Sequence, residues 1–250
     1  MVSAIVLSGS TNTGGLSQTS NASGEGMIEI HNKLMVEWVL EALSQSENID
    51  NIVLVGLPDA RQIAERWPDV KFAPAGDTSV KSSINGLEYV DKSQMVLVVT
   101  DDIPLLTAEA VDHFIDQCQG RQGDLFYPII TQQSQEEKYP GSVRTYVKLK
   151  DGVFTGGNIF FVNPKVVPLC AEKVEEIVRL RKKPFELCKL IGFGFVIRFL
   201  LKILTINEAE KRVSSLLGLK GFTVICPYPE VGIDVDKPSD LELVKQHLDC

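Results

Sequence analysis

Residues 95–106 read MVLVVTDDIPLL, and this stretch decides which fold the sequence predicts. Met95 to Thr100 is an almost unbroken apolar run, which is typical of a strand buried on both faces of a parallel sheet. The run ends at Asp101 and Asp102, and Thr107 can cap the helix that follows. Because open parallel sheets bind ligands at the carboxyl ends of their strands, we expect these aspartates at a ligand-binding edge. From this segment alone, a helix-capping or merely solvated role for them is equally compatible.

The first half of the chain alternates short apolar runs with amphipathic segments. Val2 to Leu7 is a second apolar run, and a loop rich in Gly, Ser, Thr and Asn follows it to about Gly26. The remaining pattern predicts strands at 51–56 and 70–73 and helices at 34–43, 59–67 and 82–90. This alternation predicts an α/β fold, a three-layer αβα sandwich around a mostly parallel, Rossmann-like sheet.

The second half has a different pattern. Strands are predicted at 124–130, 142–149, 155–162 and 222–226, and a long helical stretch at about 173–217. The last strand leads to Gly232–Asp236, after which Pro238 opens a final helix. We expect one domain over residues 1–250, with the helical stretch as an insert.

Charge and cysteine content exclude several classes of function. The net charge of −8 argues against a general nucleic-acid binder, although a small phosphorylated ligand needs only one local basic pocket. The five cysteines form no C-x-x-C pair, so disulfides and a zinc site are not expected and a reducing compartment fits better. The N-terminus is apolar only from Ala4 to Leu7, unlike a signal peptide. These features predict a cytoplasmic protein with no transmembrane segment.

The acidic residues after two strands suggest a metal site. Mg²⁺ takes one or two protein carboxylates and fills its other positions with water and substrate phosphates. Asp101 and Asp102 follow one strand, and Asp234 and Asp236 lie near another. Two acidic clusters at strand ends are more informative than either cluster alone.

Five segments carry a resemblance to a known superfamily. They are LSGS at 7–10, HNKLMVEWVL at 31–40, VLVVTDDIPLLT at 96–107, FTGGNIFFVNP at 154–164 and IDVDKPSDLEL at 233–243. In order and spacing they resemble the signatures of the NTP-transferase superfamily, which includes molybdenum-cofactor guanylyltransferases and sugar nucleotidyltransferases. The resemblance covers nearly the whole chain outside the helical insert.

The resemblance implies an activity and assigns roles to residues. It implies Mg²⁺-dependent nucleotidyl transfer, in which a small phosphorylated acceptor attacks the α-phosphate of an NTP and pyrophosphate leaves. Asp102 and Asp236 would bind the metal, with Asp234 as a rival ligand. The resemblance also places the nucleotide against the following residues: Leu7, Ser8, Gly9, Ser10 and either Ser82 or Ser83.

The first loop departs from the superfamily pattern. Met1 to Asn32 contains no Lys or Arg, and Glu25 occupies the position where a phosphate-binding lysine is expected. A carboxylate near a triphosphate repels it. Other basic residues can replace the missing pair, the candidates being Lys81, Lys138, Arg144 and Lys148. Otherwise the chain binds a nucleotide or nucleotide-sugar without turnover, or acts as a glycosyltransferase of the related GT-A type.

The segment 179–202 is basic and apolar within an acidic chain. Arg198 and Lys202 interrupt its apolar run well before the ~20 residues that span a bilayer. A basic, aromatic-rich helix can lie on a membrane surface or cover the acceptor. Packing on its own domain or in a homodimer contact is the favoured interpretation.

Overall fold

The computed structural model of the chain describes residues 1–18, 20–181 and 183–248. The strands of these ranges are β1 Val2–Ser8, β2 Glu29–Ile30, β3 Lys33–Leu34, β4 Ile49–Gly56, β5 Val70–Pro74, β6 Val96–Thr100, β7 Leu125–Thr131, β8 Val147–Leu149, β9 Gly152–Gly156, β10 Ile159–Val162 and β11 Gly221–Ile225. The α-helices are α1 Met35–Ser44, α2 Ala60–Arg66, α3 Ser79–Gly86, α4 Ala108–Cys118, α5 Gln132–Lys138, α6 Val167–Leu180, α7 Pro184–Ile191, α8 Phe193–Leu200, α9 Ile206–Leu217 and α10 Pro238–His247.

One large mixed sheet organises the fold. Its strand order is β5-β4-β1-β6-β10-β7-β9-β8, and β11 pairs with β7. The predicted parallel pairing holds for β5, β4, β1 and β6, which are the strands of the first half. The expectation of a mostly parallel sheet is too strong, because β10 lies antiparallel between β6 and β7, and β9 is antiparallel to both β7 and β8.

Alternate side chains of the central strand pack against helices on opposite faces. In β1, Ala4 and Val6 belong to the core under α1, α2 and α4. Ile5 belongs to a second core on the other face, together with Leu87 and partly buried Val167 of α6. This arrangement is the predicted three-layer sandwich, and it follows from the period-2 alternation of a strand between two helical layers.

Two of the predicted strands are shorter in the structure than the sequence pattern indicated. The strand expected at 155–162 is broken because Gly157 N–H donates to Pro128 O and Asn158 N–H donates to Val231 O, at 3.0 and 2.7 Å. The strand expected at 142–149 begins only at Val147. The pattern also missed the β2–β3 hairpin, whose turn residues His31 and Asn32 both have positive φ, as two-residue hairpin turns often require.

A third core lies beneath the long first loop. It joins Leu16 and Ile28 of that loop to Ile233 and Val235, and it includes Leu241 of α10. Ile233 and Val235 are almost fully buried. Because residues alternate in this extended segment, burying them leaves Asp234 and Asp236 to face away from the core.

The helical insert is present as α6 to α9. No helix among the described residues is both long enough and apolar enough to cross a bilayer. The cysteines of the described part of the chain, Cys118, Cys170, Cys188 and Cys226, are free thiols, and Cys250 lies outside it. The cytoplasmic location stays a prediction.

Candidate active site

The carboxyl ends of β1, β5 and β6 meet at one edge of the sheet. Beside them is a cavity of about 380 Å³, which is within the size range of small-ligand sites. Its lining is polar and consists mainly of loop and helix-start residues: Leu7, Gly9, Ser10, Thr11, Glu25, Gly76, Asp77, Thr78, Ser79 and Ser82. The residues expected from LSGS and from the α3 start therefore share one cavity, with two exceptions.

Ser83 and Ser8 are those exceptions. Ser83 is buried, and its hydroxyl donates to Ser79 O at 2.8 Å, so its polar group is satisfied inside α3. Ser82 is the serine that lines the cavity, where its Oγ accepts a 3.0 Å hydrogen bond from Gly76 N–H. Ser8 is also buried: burial raises the pKa of Asp101 to about 7, and a hydrogen bond with the Ser8 hydroxyl opposes this rise.

Gly9 permits the close approach of two loops at the cavity. A Cβ on Gly9 would lie 2.9 Å from the Cβ of Ala75 and 3.6 Å from the Oγ of Ser82. Any side chain at position 9 would therefore separate the first loop from the β5–α3 connection. The glycine of LSGS is needed here for space.

Asp102, Asp234 and Asp236 converge next to this cavity. Each offers a carboxylate oxygen, and these oxygens all lie within 4.8 Å of one another. The backbone holds the two acidic segments together, because Val235 N–H donates to Asp102 O at 2.9 Å. Asp102 and Asp234 are half-buried and Asp236 is exposed. Asp101 is buried and is not a member of this cluster.

Burial and mutual repulsion make the anionic cluster unfavourable by itself. Burial, together with the charges of Asp101, Asp234 and Asp236, raises the pKa of Asp102 to about 8, although the Thr100 hydroxyl at 2.5 Å opposes the rise. Burial and the Asp234 charge also raise the pKa of Asp236. These carboxylates would be relieved by a nearby cation.

The cluster fits a divalent hard cation. Its donors are carboxylate oxygens at mutually short distances, which is the donor type that Mg²⁺ prefers. One partly exposed side permits water or substrate phosphates to complete the coordination. No cysteine or histidine belongs to the cluster within the described residues, so softer metals are less well matched.

Arg144 supplies positive charge to the cluster. Its guanidinium forms an ion pair with Asp234, and both side chains are mostly buried, at 15% and 19% exposure. Tyr127 lies close to this pair: burial, aided by the Asp234 charge, raises the pKa of its hydroxyl, and Arg144 opposes this. The sequence named Arg144 as a basic substitute but gave no signal for Tyr127, which sits in mid-strand.

The other basic substitutes lie elsewhere. Lys138 is within 3.0 Å of both carboxylate oxygens of buried Glu230. Lys81 is 3.2 Å from Asp77 at the cavity rim, and Lys148 is exposed on β8. Of the four candidates, only Arg144 reaches the acidic cluster.

Glu25 lies between the cavity and the acidic cluster. It lines the cavity, and its pKa is raised by burial and by the charges of Asp236 and Asp234. The predicted carboxylate near the nucleotide is therefore part of a larger acidic surface. A polyphosphate in this cavity would need cations to neutralise both itself and these side chains.

The comparisons with known proteins agree with this geometry. Residues 13–176 match the family described as the MobA-like NTP transferase domain. The matched range includes Glu25 and Asp102 but ends before Asp234 and Asp236. The chain belongs to this family of nucleotidyltransferases, as the five sequence segments predicted.

Solved structures share the fold over nearly the whole chain. A hypothetical transferase from Thermus thermophilus is 32% identical with a TM-score of 0.85, covering 96% of this chain and 99% of its own. A 4-diphosphocytidyl-2C-methyl-D-erythritol synthase from Anaerococcus prevotii is 16% identical with a TM-score of 0.57, covering 99% and 95%. A CMP:2-keto-3-deoxy-manno-octonic acid synthetase complexed with CTP is 13% identical with a TM-score of 0.60, covering 98% and 96%.

A similar protein of named activity is a cytidylyltransferase. The 3-deoxy-manno-octulosonate cytidylyltransferase of Chlamydia pneumoniae is 22% identical over 244 residues, covering 93% of this chain and 90% of its own. The α/β nucleotidyltransferase fold is thereby established for this chain, with a mixed and partly parallel sheet.

Proposed function

We propose that the chain transfers a nucleoside monophosphate from an NTP, with CTP as the first candidate, to a small phosphorylated acceptor. The observation that carries the proposal is a polar cavity at the sheet edge, with the Asp102–Asp234–Asp236 cluster within electrostatic reach of Glu25 in the cavity lining. Membership of the NTP transferase family supports the reaction class. The cytidylyltransferases among its relatives support the choice of base.

In this proposal Asp102, Asp234 and Asp236 hold a magnesium ion. When bound, Mg²⁺ would offset the negative charge that develops on the phosphate groups during transfer. Arg144 keeps the Asp234 carboxylate in place through their ion pair. The hydrogen bond from Val235 to Asp102 fixes the spacing of the two acidic segments.

The remaining cavity residues bind and orient the nucleotide. Ser82 Oγ already accepts from Gly76, so its own proton is free to be donated to a ligand oxygen or ring nitrogen. Ser10 offers a further hydroxyl at the rim. An acceptor phosphate oxygen then attacks the α-phosphorus, a new P–O bond forms, the bond from the α-phosphorus to the bridging oxygen breaks, and that electron pair leaves with pyrophosphate.

A phosphorylated acceptor is proposed because of Arg144 and its neighbour Tyr146. Within the described residues, Arg144 Nε and Tyr146 Oη are buried without a hydrogen-bond partner. Buried donors without partners are costly, and a phosphate, like a carboxylate, accepts strong charge-assisted hydrogen bonds from a guanidinium. Both groups would be satisfied by a phosphate placed beside Asp234.

The test begins with nucleotide binding and ends with turnover. Calorimetry with the four NTPs, with and without Mg²⁺, is expected to give metal-dependent binding with CTP preferred. Because nucleotidyl transfer is reversible, incubation with pyrophosphate and a panel of CDP- and UDP-linked compounds is expected to release NTP and so identify the acceptor. The proposal would be contradicted if none of the four NTPs bound in a metal-dependent way.

A non-catalytic nucleotide-binding protein is the second candidate. It is favoured by the lining of the cavity, which includes Glu25 and Asp77 but no Lys or Arg among the described residues. Binding without NTP formation from any nucleotide-linked compound would favour this candidate. Release of a nucleoside diphosphate from a nucleotide-sugar would instead indicate a glycosyltransferase.

A further inference from the structure

Helices α7 and α8 form a surface that the rest of the chain leaves uncovered. Neither helix contains a single buried residue. The α7–α8 face, as used below, consists of exposed apolar residues of these helices and the turn after α8: Phe185, Phe193, Ile197, Phe199, Leu200, Leu201 and Ile203. The sequence favoured packing on its own domain or in a homodimer contact, and the structure shows partial packing on the domain: Leu190 and Val196 are half-buried, and Arg212 of α9 donates to Leu190 O at 2.8 Å.

The α7–α8 face is large for a single chain. Its members are between 38% and 69% exposed. At roughly 100 Å² each they present on the order of 700 Å² of apolar surface, more than the largest patch of a typical monomer. The rings of Phe185 and Phe193 are 6.1 Å apart and join the two helices into one surface.

The same segment carries a concentrated positive charge. Residues 179–202 contain seven basic side chains and one acidic one, whereas the whole chain has a net charge of −8. Lys183 and Arg198 are partnered by Glu186 and Glu208 at the surface. Lys189 lies over the ring of Phe185, so positive charge and aromatic surface occur side by side.

The combination of apolar surface and positive charge favours a membrane surface over a second copy of the chain as the partner of this face. A twofold dimer through the face would bring two copies of the basic segment together, and like charges in contact oppose association. A surface of anionic lipid headgroups attracts the same segment, while its acyl region accepts the Phe and Leu side chains. The acidic remainder of the chain would be repelled and kept outside the bilayer.

We propose that the α7–α8 face docks on the surface of a bilayer that contains anionic lipids. The docking is peripheral, with the two short helices in the interfacial plane. It adds to the proposed function and does not depend on it. The face is placed on the insert that reaches the cavity rim, where the Thr78 hydroxyl donates to Glu175 Oε1 of α6 at 2.6 Å.

Sedimentation of the full chain with phospholipid vesicles tests the proposal. Binding to vesicles of phosphatidylcholine mixed with phosphatidylglycerol is expected to be about tenfold or more tighter than binding to phosphatidylcholine alone. Raising NaCl from about 50 mM to about 500 mM should weaken it, because screening shortens the reach of the basic residues.

Two variants remove the two contributions separately. The double variant Phe193→Ser/Leu200→Ser deletes apolar surface. The double variant Arg179→Glu/Lys189→Glu reverses charge. Each double variant is expected to bind vesicles about tenfold or more weakly than the unaltered chain. The control for the apolar variant is Leu169→Ser/Ile225→Ser, which removes two apolar side chains that are also exposed. The control for the charge variant is Lys71→Glu/Lys165→Glu, which changes the net charge by the same amount at exposed positions. Both controls should bind vesicles as the unaltered chain does.

Three outcomes would overturn the proposal. They are no preference for anionic vesicles, equal loss of binding in the controls, or conversion of a dimer to a monomer by Phe193→Ser with Leu200→Ser in light scattering. The last result would make the face a contact between two copies. Unchanged melting temperatures and NTP affinities show that the variants are folded and keep failure here separate from failure of the proposed function.

Discussion

The backbone N–H of Val235 lies 2.9 Å from the carbonyl oxygen of Asp102 and donates a hydrogen bond to it. Val235 itself is fully buried in the core beneath the first loop. The residues on either side of it, Asp234 and Asp236, are thereby held at a fixed distance from the Asp102 carboxylate. A single backbone contact thus brings together two acidic segments that are far apart in sequence.

Replacing a carboxylate of this cluster should weaken metal binding. Asp102→Asn is expected to raise the Kd for Mn²⁺ or Mg²⁺ about tenfold or more, since one hard anionic ligand is lost. In EDTA at about pH 9, above the pKa of about 8 that burial and neighbouring charges give Asp102, the same variant should melt at a higher temperature than the unaltered chain, because the ionised carboxylate no longer repels its neighbours. Titration calorimetry and thermal melts measure the two effects. Asp69→Asn, on the surface, is the control, and unchanged metal affinity in Asp102→Asn would refute the assignment.

Ser82 and Ser83 should differ although they are neighbours. Ser82→Ala removes a hydroxyl from the cavity wall and should weaken nucleotide binding about fivefold, the scale of one hydrogen bond of ~1 kcal/mol. Ser83→Ala breaks only the bond to Ser79 O inside α3, so it should lower stability and leave nucleotide affinity unchanged. Calorimetry on both variants separates the two roles. Equal losses of affinity would mean that Ser82 does not contact the nucleotide.

Changing Glu25 to lysine should increase the affinity for NTP when no metal ion is present. The substitution replaces a carboxylate at the cavity with a cation, and partly screened charges at such distances are worth ~1 kcal/mol or more. We expect about tenfold tighter NTP binding in EDTA for Glu25→Lys. Glu29→Lys makes the same charge change at an exposed position of β2 and should have little effect. If both variants bind NTP as the unaltered chain does, Glu25 does not face the phosphates.

Gly26 should not tolerate a methyl group. A Cβ at Gly26 would overlap the Asp101 carboxylate, which is buried and cannot move into solvent. Gly26→Ala is therefore expected to lower the free energy of unfolding by about 1–3 kcal/mol, as overpacking does. Gly14→Ala meets nothing closer than a Glu25 oxygen at 3.6 Å and is the matched control. Chemical denaturation compares them, and equal stability would contradict the packing described.

Arg144 and Asp234 should be energetically coupled. Arg144→Gln leaves the half-buried Asp234 without its cation among other carboxylates, so the chain should lose stability. With Arg144→Gln, Asp234→Asn and the double variant, a cycle should give a coupling energy of about 1–3 kcal/mol. The cycle is run in EDTA so that metal binding does not contribute. Additive effects would show that the ion pair does not stabilise the fold.

The sequence predicted the first half of the fold better than the second. Runs such as Met95–Thr100 are apolar on both faces, so their burial between helices follows directly from composition. The strands after Asp124 have weaker patterns, and long-range backbone bonds at Gly157 and Asn158 decide where they break. Local propensity carries no information about such bonds.

The site shows the same division. Asp102 and the glycine of LSGS could be named from the sequence because they follow strands directly and match the superfamily segments. Ser8 and Ser10 could not be told apart, because which of two nearby side chains faces a cavity depends on the path of the loop. The sequence favoured packing of α7 and α8 on the domain or in a homodimer contact, but it could not show which of their apolar residues stay exposed, because an amphipathic pattern does not say how much partner surface exists.

By itself, the sequence determined the α/β class, the nucleotidyltransferase resemblance and the acidic residues of the site. The tertiary structure decided that Asp234 and Asp236 stand beside Asp102, that Arg144 pairs with Asp234, and that Ser82 rather than Ser83 lines the cavity. The physical reason is that strand and helix patterns arise from neighbouring residues, which composition and spacing record. Side-chain convergence depends on contacts between distant segments, and only the packed core and its backbone hydrogen bonds set those distances.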